Sequence, residues 1–367
     1  MKKNFFEYLL LPFALVYRII IFVRNKLFDL EIIPSRDFAI PIIAVGNITV
    51  GGTGKTPHVE YLIRMFSGQM KIAILSRGYK RKSKGFVLAH ENSTPAEIGD
   101  EPCQIKSKFP EVIVAVDKNR VMGIKNLKAL FPDLDLILLD DAFQHRYVKP
   151  GLSILLIDYN RPVTKDFLLP FGRLREPVSA VHRANIVLIT KSPEKTKGID
   201  QRIYFKSLSL SPFQHLFFTS VKAQKLNPLF LPEITPEMQK TIDSKPQVLL
   251  VTGIANPRTV KKFARTYSTN IIDFTFPDHY NFKERDIENI LAEYKNHSSA
   301  IILLTEKDAM RFRQFKTLVE NIKENIYYIP IAVEFLNNDG ENFKKIIKTY
   351  VESNKRNSIL HKGKDKV

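Results

Sequence analysis

The sequence contains almost no cysteine: Cys103 is the only one among 367 residues. A single thiol excludes an intrachain disulfide, and it also excludes a thiol-rich metal site or an oxidised disulfide framework. A reducing compartment is therefore expected. The sequence also lacks internal repeats, and low-complexity sequence is confined to the basic C-terminal end.

The sequence also lacks an apolar run long enough to span a bilayer. Leu9 to Tyr17 is far shorter than the roughly 20 residues that a spanning helix needs, and Arg18 and Arg24 interrupt the apolar sequence after it. The absence of a small-residue cleavage site argues against a signal peptide. Aromatic and aliphatic residues mixed with cations predict an interfacial membrane helix over 1–30. An ordinary helix that covers the first core is the alternative.

Acidic residues are scarce relative to basic ones, with 38 Asp and Glu against 56 Lys and Arg, which gives a formal net charge of +18. This excess attracts polyanions, so anionic lipids, phosphorylated substrates and nucleic acids are all candidate partners on charge alone. No nucleic-acid partner is expected, because no recognition module accompanies the charge. The segment 354–367 concentrates cations with little apolar content and is predicted to be a disordered tail.

The distribution of apolar residues predicts two α/β domains. The hydrophobic content of 44% is enough to fill two cores. Over 31–200, short apolar runs alternate with helical patterns, which is typical of a mostly parallel sheet covered on both faces. The stretch 201–240 is expected to be a β linker of two extended segments around a Ser-Pro turn, followed by Pro-rich sequence. Alternation then resumes and predicts a smaller α/β domain over 241–353.

The stretch TVGGTGKTP lies between the apolar run IPIIAV and an amphipathic helical pattern. This is the context of a phosphate-binding loop of the type GxxxxGK[ST], whose glycines let backbone N–H groups surround phosphate oxygens at the positive end of a helix. A threonine stands where the pattern has its first glycine, which an extended strand end tolerates. The residues expected to contact the nucleotide are Thr49, Val50, Gly51, Gly52, Thr53, Gly54, Lys55 and Thr56.

Acidic residues complete the predicted nucleotide site. Lys55 is expected to reach the terminal phosphates, and the Thr56 hydroxyl to coordinate Mg²⁺. Asp140 and Asp141 come directly after the apolar run LDLILL, where the metal-holding acid of such sites is found. Two adjacent carboxylates repel each other unless a cation or hydrogen-bond donors compensate. These residues predict nucleotide-dependent chemistry, but they do not decide whether water or a hydroxyl group attacks.

Other polar clusters lie after predicted strands, at the edge where open α/β sheets bind ligands, or in polar loops. They are SRGYKRKSKG, IGDEPCQI with Asp100 and Glu101, VDKNR with Arg120, the pair Gln144 and His145, GRLREP with Arg173, Arg175 and Glu176, FPDHYNF with His279, and LTEKDAMRF with Asp308. Each has a structural alternative. Asp100 is placed to cap a helix, and a lone histidine such as His279 is usually structural.

Together these motifs resemble the tetraacyldisaccharide 4'-kinase family of lipid A biosynthesis. The resemblance runs nearly end to end and rests on nine motifs in family order: GNITVGGTGKTP, SRGYKRK, GDEP, VAVDKNR, LDDAFQHR, LLPFGRLREP, TGIANP, FPDHYNF and LTEKDA. It implies a P-loop NTPase-like fold with a second, smaller α/β domain joined by an extended two-strand linker. It also implies transfer of the γ-phosphate of ATP, with Mg²⁺, to the 4'-hydroxyl of a tetraacyldisaccharide 1-phosphate. The product is the bisphosphorylated lipid IVA of lipopolysaccharide biosynthesis, and the implied location is the cytoplasmic face of the bacterial inner membrane.

The resemblance also implies roles for single residues. A hydroxyl residue opens the loop in the family, which accounts for Thr49. Asp100 matches the general base, assisted by His279, with the second domain closing over the nucleotide. The remaining roles are charge stabilisation by Arg120, metal binding by Thr56, Asp140, Asp141, Gln144 and Glu176, and substrate contacts by Tyr79 and Arg173. Ala142 departs from the family's frequent glycine, which matters only if this position needs a positive φ.

Two alternatives use the same loop. A membrane-associated ATPase switch related to chromosome- and septum-positioning proteins carries an extra lysine near the start of the loop, where this chain has Val50. A GTPase needs a guanine-reading [NT]KxD motif, and the stretch IVLITKSPE resembles it. However, Pro193 and Glu194 fill the positions around the expected aspartate. Both alternatives are therefore disfavoured.

Overall fold

The computed structural model describes residues 8–196, 198–254, 257–278, 280–297 and 299–362. The chain forms two compact units: Met1–Val221 with Val333–Val367, and Lys222–Ala332. The C-terminal segment therefore returns to the first unit, whereas the sequence-based boundaries assign its helix to the second domain.

The strands, in chain order, are β1 (Ile42–Gly46), β2 (Ile72–Ser76), β3 (Val87–Leu88), β4 (Ile113–Val116), β5 (Leu136–Asp140), β6 (Leu152–Asp158), β7 (Ile186–Thr190), β8 (His215–Ala223), β9 (Asn227–Pro228), β10 (Val248–Thr252), β11 (Ile271–Thr275), β12 (Ile301–Thr305), β13 (Ile326–Ile329) and β14 (Ile331–Phe335). The α-helices are α1 (Leu11–Asp29), α2 (Lys55–Phe66), α3 (Pro95–Ile98), α4 (Asp100–Lys108), α5 (Arg120–Leu130), α6 (Gly198–Ser207), α7 (Pro236–Asp243), α8 (Arg258–Tyr267), α9 (Glu284–Lys295), α10 (Glu306–Phe312) and α11 (Gly340–Lys362). The described residues also form short 3₁₀ helices at Val163–Lys165, Val178–Arg183, Arg313–Phe315 and Glu320–Asn325.

The first unit is built on a nine-stranded sheet in the order β14-β8-β7-β6-β1-β5-β2-β4-β3. β1 lies between β5 and β6 and pairs in parallel with both. β1, β2, β5 and β7 are buried along their whole length, as expected for parallel strands covered on both faces. The carboxyl ends of these strands therefore meet at one edge, which is where the polar motifs lie.

The second unit has a five-stranded sheet in the order β11-β10-β12-β13-β9. Its strands are parallel except β9, which runs antiparallel to β13. Leu249, Val251, Ile302 and Leu304 lie in its core. The predicted fold class, a large mostly parallel sheet with a second, smaller α/β unit, is confirmed.

The chain passes between the two units twice, in β8 and in β14, and these strands are neighbours in the nine-stranded sheet. The prediction of an extended segment at the start of 201–240 is wrong, because α6 occupies Gly198–Ser207. Tyr204 of this helix packs its ring against Phe218, with 5.6 Å between the ring centroids. It also donates its hydroxyl hydrogen bond to Tyr159 O at 3.1 Å, so tertiary contacts outside the helix hold it in place.

The C-terminal helix α11 packs on the first unit. Phe343, Ile347 and Val351 belong to the core of the large sheet. The Tyr350 hydroxyl accepts a hydrogen bond from Ile42 N and donates one to Ile42 O, each at 3.0 Å. The helix continues to Lys362, so the prediction of a disordered tail from 354 is wrong as far as this residue.

Candidate active site

The loop between β1 and α2 is the predicted phosphate-binding loop. Gly51 and Gly54 have φ values of 97° and 88°, in the left-handed region that favours glycine. α2 begins directly afterwards at Lys55, so the loop lies at the positive end of this helix. Thr49 forms an antiparallel bridge with Leu174, and this extended backbone does not require glycine. The loop therefore has the local geometry of an anion-binding nest.

The segment after β5 approaches the end of β1 closely. A Cβ built on Gly46 would lie 2.7 Å from Phe143 Cβ and 2.8 Å from Phe143 N. These are backbone or backbone-adjacent atoms, which cannot move aside as a flexible side chain does. Because Val45 lies opposite Asp140 in the β1 and β5 pairing, this approach brings the strand-end acids to the loop.

Replacing Gly46 by alanine is expected to destabilise the first unit by about 1–3 kcal/mol, the usual cost of overpacking. For a unit of this size, the thermal unfolding midpoint is then lowered by about 2–4 °C per kcal/mol. Calorimetry measures the shift. Gly198→Ala is the matched control, because none of the described residues places an atom within 4 Å of a Cβ at Gly198. Equal midpoints for the two variants would contradict the close-approach argument.

Asp140 is buried at the end of β5, with 2% of its surface exposed. Its Oδ2 accepts a hydrogen bond from Ser76 Oγ at 3.2 Å, whereas Oδ1 has no hydrogen-bond partner among the described residues. Burial raises the pKa of Asp140 to about 7, and the negative charges of Glu101 and Asp141 add to this effect. A buried carboxylate oxygen without a donor is a group that a cation or its bound water satisfies.

Asp141 forms ion pairs with two cations near the loop. Lys55 Nζ lies 3.5 Å from Asp141 Oδ1, and Arg175 Nη1 lies 3.2 Å from Oδ2. Burial raises the pKa of Asp141, but the attraction of these two cations outweighs it, and the net pKa lies below the usual value. Asp141 also has a φ of 48°, whereas Ala142 is not among the positive-φ residues, so the departure at Ala142 has no backbone cost.

Arg120, the first residue of α5, is almost completely buried, with 1% exposure. Its guanidinium donates to Asp140 O at 3.0 Å and to Asp117 O at 2.5 Å. Burial lowers the pKa of Arg120 to about 10, and the negative charges of Asp140 and Asp141 oppose that shift. Arg120 is therefore a cation at neutral pH, and its hydrogen bonds link the backbone at the carboxyl ends of β4 and β5.

The turns that carry Tyr79 and Asp100 pack against each other. A Cβ on Gly99 would lie 3.0 Å from Tyr79 O, and Gly99 has a φ of 93°. Asp100 is the first residue of α4, while the Tyr79 side chain is exposed. Because the charge of Glu101 acts on Asp140, this pair of turns lies at the same sheet edge as the strand-end acids.

Comparison with known proteins identifies the family. The family described as Tetraacyldisaccharide-1-P 4'-kinase, LpxK, matches residues 6–352. A tetraacyldisaccharide 4'-kinase of Bacteroides thetaiotaomicron is 46% identical over 359 residues, which are 95% of this chain and 94% of the relative. The chain belongs to the tetraacyldisaccharide-1-P 4'-kinase family. A tetraacyldisaccharide 4'-kinase of Flavobacterium johnsoniae is 42% identical and covers 96% of this chain.

The fold of the chain also matches a solved member of the 4'-kinase family. The crystal structure of LpxK from Aquifex aeolicus, an "apo" form in complex with ATP at 2.2 Å resolution, has a TM-score of 0.74 and 27% sequence identity. The match covers 94% of this chain and 99% of that chain. The family membership predicted from the nine motifs is confirmed.

Gln144 and Glu176, two of the metal ligands implied by the 4'-kinase family, have protein partners here. Gln144 Nε2 donates to Asn47 O at 2.7 Å. Glu176 is fully buried, and its Oε2 accepts from Arg183 Nη2 at 2.6 Å. Glu176 Oε1 has no hydrogen-bond partner among the described residues, so one carboxylate oxygen stays available for another ligand. The metal role of both residues stays a prediction.

The N-terminal helix of this kinase-family chain contributes residues that the sequence analysis did not assign to the site. Three side chains of α1 donate to the site loops: Tyr17 Oη to Arg175 O at 2.9 Å, Arg24 Nη2 to Gln144 O at 2.6 Å, and Asn25 Nδ2 to Glu176 Oε2 at 3.4 Å. Their spacing of seven and eight residues puts them on one helix face. This spacing is the sequence feature that indicates them, because polar residues recur at helical intervals within an apolar stretch.

Arg173 and His279 are the remaining residues to which the family resemblance assigns a role. Arg173 has an exposed side chain, while its backbone O accepts from Val50 N at 2.8 Å. His279 lies outside the described residues. Among the residues that the structure does describe, no cluster of three or more His, Cys, Asp or Glu side chains is placed to hold a metal ion.

Proposed function

We propose that the protein transfers the γ-phosphoryl group of ATP to the 4'-hydroxyl of a tetraacyldisaccharide 1-phosphate and forms lipid IVA. The observation that carries this proposal is the phosphate loop, whose Lys55 is paired with the strand-end Asp141. It occurs in a chain that is 42–46% identical, over nearly its whole length, to proteins named tetraacyldisaccharide 4'-kinase. The alternative of a membrane-associated ATPase switch has no comparable support.

In the proposed reaction, one set of groups binds the phosphates and another group takes up a proton. The N–H groups of the loop and the Lys55 ammonium bind the terminal phosphates. Asp100 accepts the proton of the 4'-hydroxyl while the oxygen of that hydroxyl forms a bond to the γ-phosphorus. The bond from the γ-phosphorus to the β–γ bridging oxygen breaks, and ADP leaves. The buried Arg120 cation stabilises negative charge at the strand ends, and Tyr79 and Arg173 contact the lipid acceptor.

The donor set fits Mg²⁺. Asp140 Oδ1, which has no hydrogen-bond partner in the part of the chain that the structure describes, is a hard oxygen ligand of the kind that Mg²⁺ prefers. Mg²⁺ is usually held by one or two carboxylates together with substrate phosphates. The family resemblance assigns the ion to Thr56, Asp140, Asp141, Gln144 and Glu176, and Asp140 is the member of this set that the geometry supports most directly. When bound, the ion neutralises charge on the β- and γ-phosphates.

The helix α1 supplies a surface for reaching the lipid acceptor. Its exposed apolar residues are Leu11, Phe13, Leu15, Val16, Ile19, Ile20, Phe22 and Val23. Its polar side chains Tyr17 and Arg24 instead bind other parts of the first unit. No helix in the described ranges combines the length and hydropathy needed to cross a bilayer. We place the exposed face on the cytoplasmic surface of the inner membrane, with Arg18 and Lys26 available to anionic headgroups.

The double variant Phe13→Ser, Ile20→Ser is expected to bind vesicles of anionic lipid at least tenfold more weakly than the wild type. The physical reason is that a buried Phe or Ile side chain is worth about 1.5–3 kcal/mol. Vesicle co-sedimentation measures this. Leu130→Ser, Ile203→Ser is the matched control, since these side chains are similarly exposed on other helices. Equal binding of the double variant and the wild type would remove α1 from the membrane role.

The activity is tested by incubating the purified protein with ATP labelled in its γ-phosphate and with the disaccharide lipid 1-phosphate. Label is expected on the 4'-oxygen of the lipid, and its formation should require Mg²⁺. Release of labelled phosphate, stimulated by vesicles and without labelled lipid, would instead establish the ATPase switch.

A further inference from the structure

Three consecutive carbonyl groups of the phosphate loop each accept a hydrogen bond from a side chain outside the loop. These contacts are Lys191 Nζ to Gly52 O at 2.5 Å, Thr190 Oγ1 to Thr53 O at 2.8 Å, and His58 Nδ1 to Gly54 O at 2.7 Å. The donors come from different places, namely the residue after β7, the end of β7 and the first turns of α2. None of the three donors lies within the nine motifs of the family.

The direction of these carbonyls fixes the direction of the loop N–H groups. A trans peptide is planar, and its C=O and N–H bonds point in opposite directions. Holding the carbonyl of Gly52, Thr53 or Gly54 against its donor therefore turns the N–H group of the same peptide, that of Thr53, Gly54 or Lys55, away from that donor. Glycine at 52 and 54 otherwise lets these peptides rotate at little cost.

The donors are themselves held in place. Lys191 Nζ also lies 2.8 Å from Asp158 Oδ2. The His58 side chain is buried, and its Nε2 lies 3.0 Å from Thr219 Oγ1. A carbonyl oxygen only accepts hydrogen bonds, so Nδ1 of His58 is the donor in the contact with Gly54 O.

We propose that Lys191, Thr190 and His58 are positioning residues that preorganise the N–H groups of the loop for the β-phosphate of the nucleotide. This inference rests on the proposed function only in that the loop binds ATP. When these N–H groups are already oriented, no binding free energy is lost to ordering three peptides as the nucleotide binds. The three residues act through the backbone and do not contact the nucleotide in this role.

The test is the affinity of Thr190→Val for ADP and for AMP, measured by calorimetry. Valine keeps the shape of threonine and removes the donor. ADP is expected to bind about tenfold more weakly, the scale of one hydrogen bond. AMP, which lacks a β-phosphate, should bind as it does to the wild type. Thr190→Ser keeps the hydroxyl and should restore ADP binding. Ser192→Ala is the matched control, because its hydroxyl donates to Ile189 O rather than to the loop.

Three results would overturn this inference alone: unchanged ADP affinity in Thr190→Val, equal losses for ADP and AMP, or failure of Thr190→Ser to restore binding. Wild-type protein that does not bind ADP would overturn the proposed function and this inference together. Wild-type protein that binds ADP but leaves the lipid unlabelled would overturn the proposed kinase activity, and the Thr190 comparison would still decide the role of the carbonyl contacts.

Discussion

Lys55→Ala is expected to reduce phosphoryl transfer by about 10²- to 10³-fold, the scale seen when a preorganised group that stabilises transition-state charge is removed. Lys55 supplies a cation at the first turn of α2, where the loop N–H groups already favour negative charge. Its loss also leaves Asp141 to pair with Arg175, so the negative charge beside the phosphates is less compensated. Single-turnover transfer from labelled ATP measures the loss.

The matched control for Lys55 is Lys71→Ala. Lys71 Nζ pairs with Asp133 Oδ2 at 2.7 Å, and the Asp133 side chain is 67% exposed. An exposed ion pair contributes little, about 0–1 kcal/mol, so this variant should transfer phosphate at the wild-type rate. Lys55→Arg keeps the charge with a different shape and should recover part of the activity at most. Near-normal transfer by Lys55→Ala would show that the loop does not act on the moving phosphoryl group.

The sequence predicts the nucleotide loop well because the strand, the glycines and the helix that form it are adjacent in the chain. The apolar run before the loop becomes β1, the helical pattern after it becomes α2, and the glycines at 51 and 54 have positive φ. Strand, loop and helix here depend on neighbours within a few residues. The acids of LDLILLDD also lie where predicted, because the strand before them is buried on both faces and can only end at the ligand-binding edge.

Elements that depend on distant partners are harder to predict from the sequence. α11 joins the first unit through Tyr350 and Ile42, which are 308 residues apart in sequence. Nothing in the local pattern of 340–362 specifies which sheet this helix covers. α6 likewise depends on the ring contact of Tyr204 with Phe218. Local hydrophobic patterning indicates that a face is buried, but it does not specify the partner.

The same limit applies to single residues of the site. The sequence indicates a site role for the cation Arg120 and the acid Glu176, but it does not indicate which groups these side chains bind. Arg120 binds backbone carbonyls, and Glu176 binds Arg183. The contacts of Lys191 and His58 with the loop carbonyls are also absent from the sequence-based prediction, since a pattern for phosphate binding specifies the loop and not the side chains behind it.

Asp100→Asn is expected to slow phosphoryl transfer by about 10²- to 10⁴-fold, the usual contribution of general base catalysis, and to leave the affinity for MgATP almost unchanged. Asparagine keeps the size of the side chain and its position at the start of α4, but it cannot accept the proton of the sugar hydroxyl. Pre-steady-state transfer and equilibrium ATP binding, measured on the same preparation, separate the two effects. Asp133→Asn, at an exposed surface position, is the matched control and should change neither.

The predicted assistance of Asp100 by His279 makes a second measurement decisive. If both residues serve one proton transfer, His279→Ala should cost much less in the Asp100→Asn background than in the wild type, because residues that act as a unit are strongly non-additive. Fully additive losses would separate His279 from the base. Equal losses of ATP binding and transfer in Asp100→Asn would instead make Asp100 a structural residue of the 99–101 turn, since an aspartate at the start of a helix also stabilises that helix by its charge.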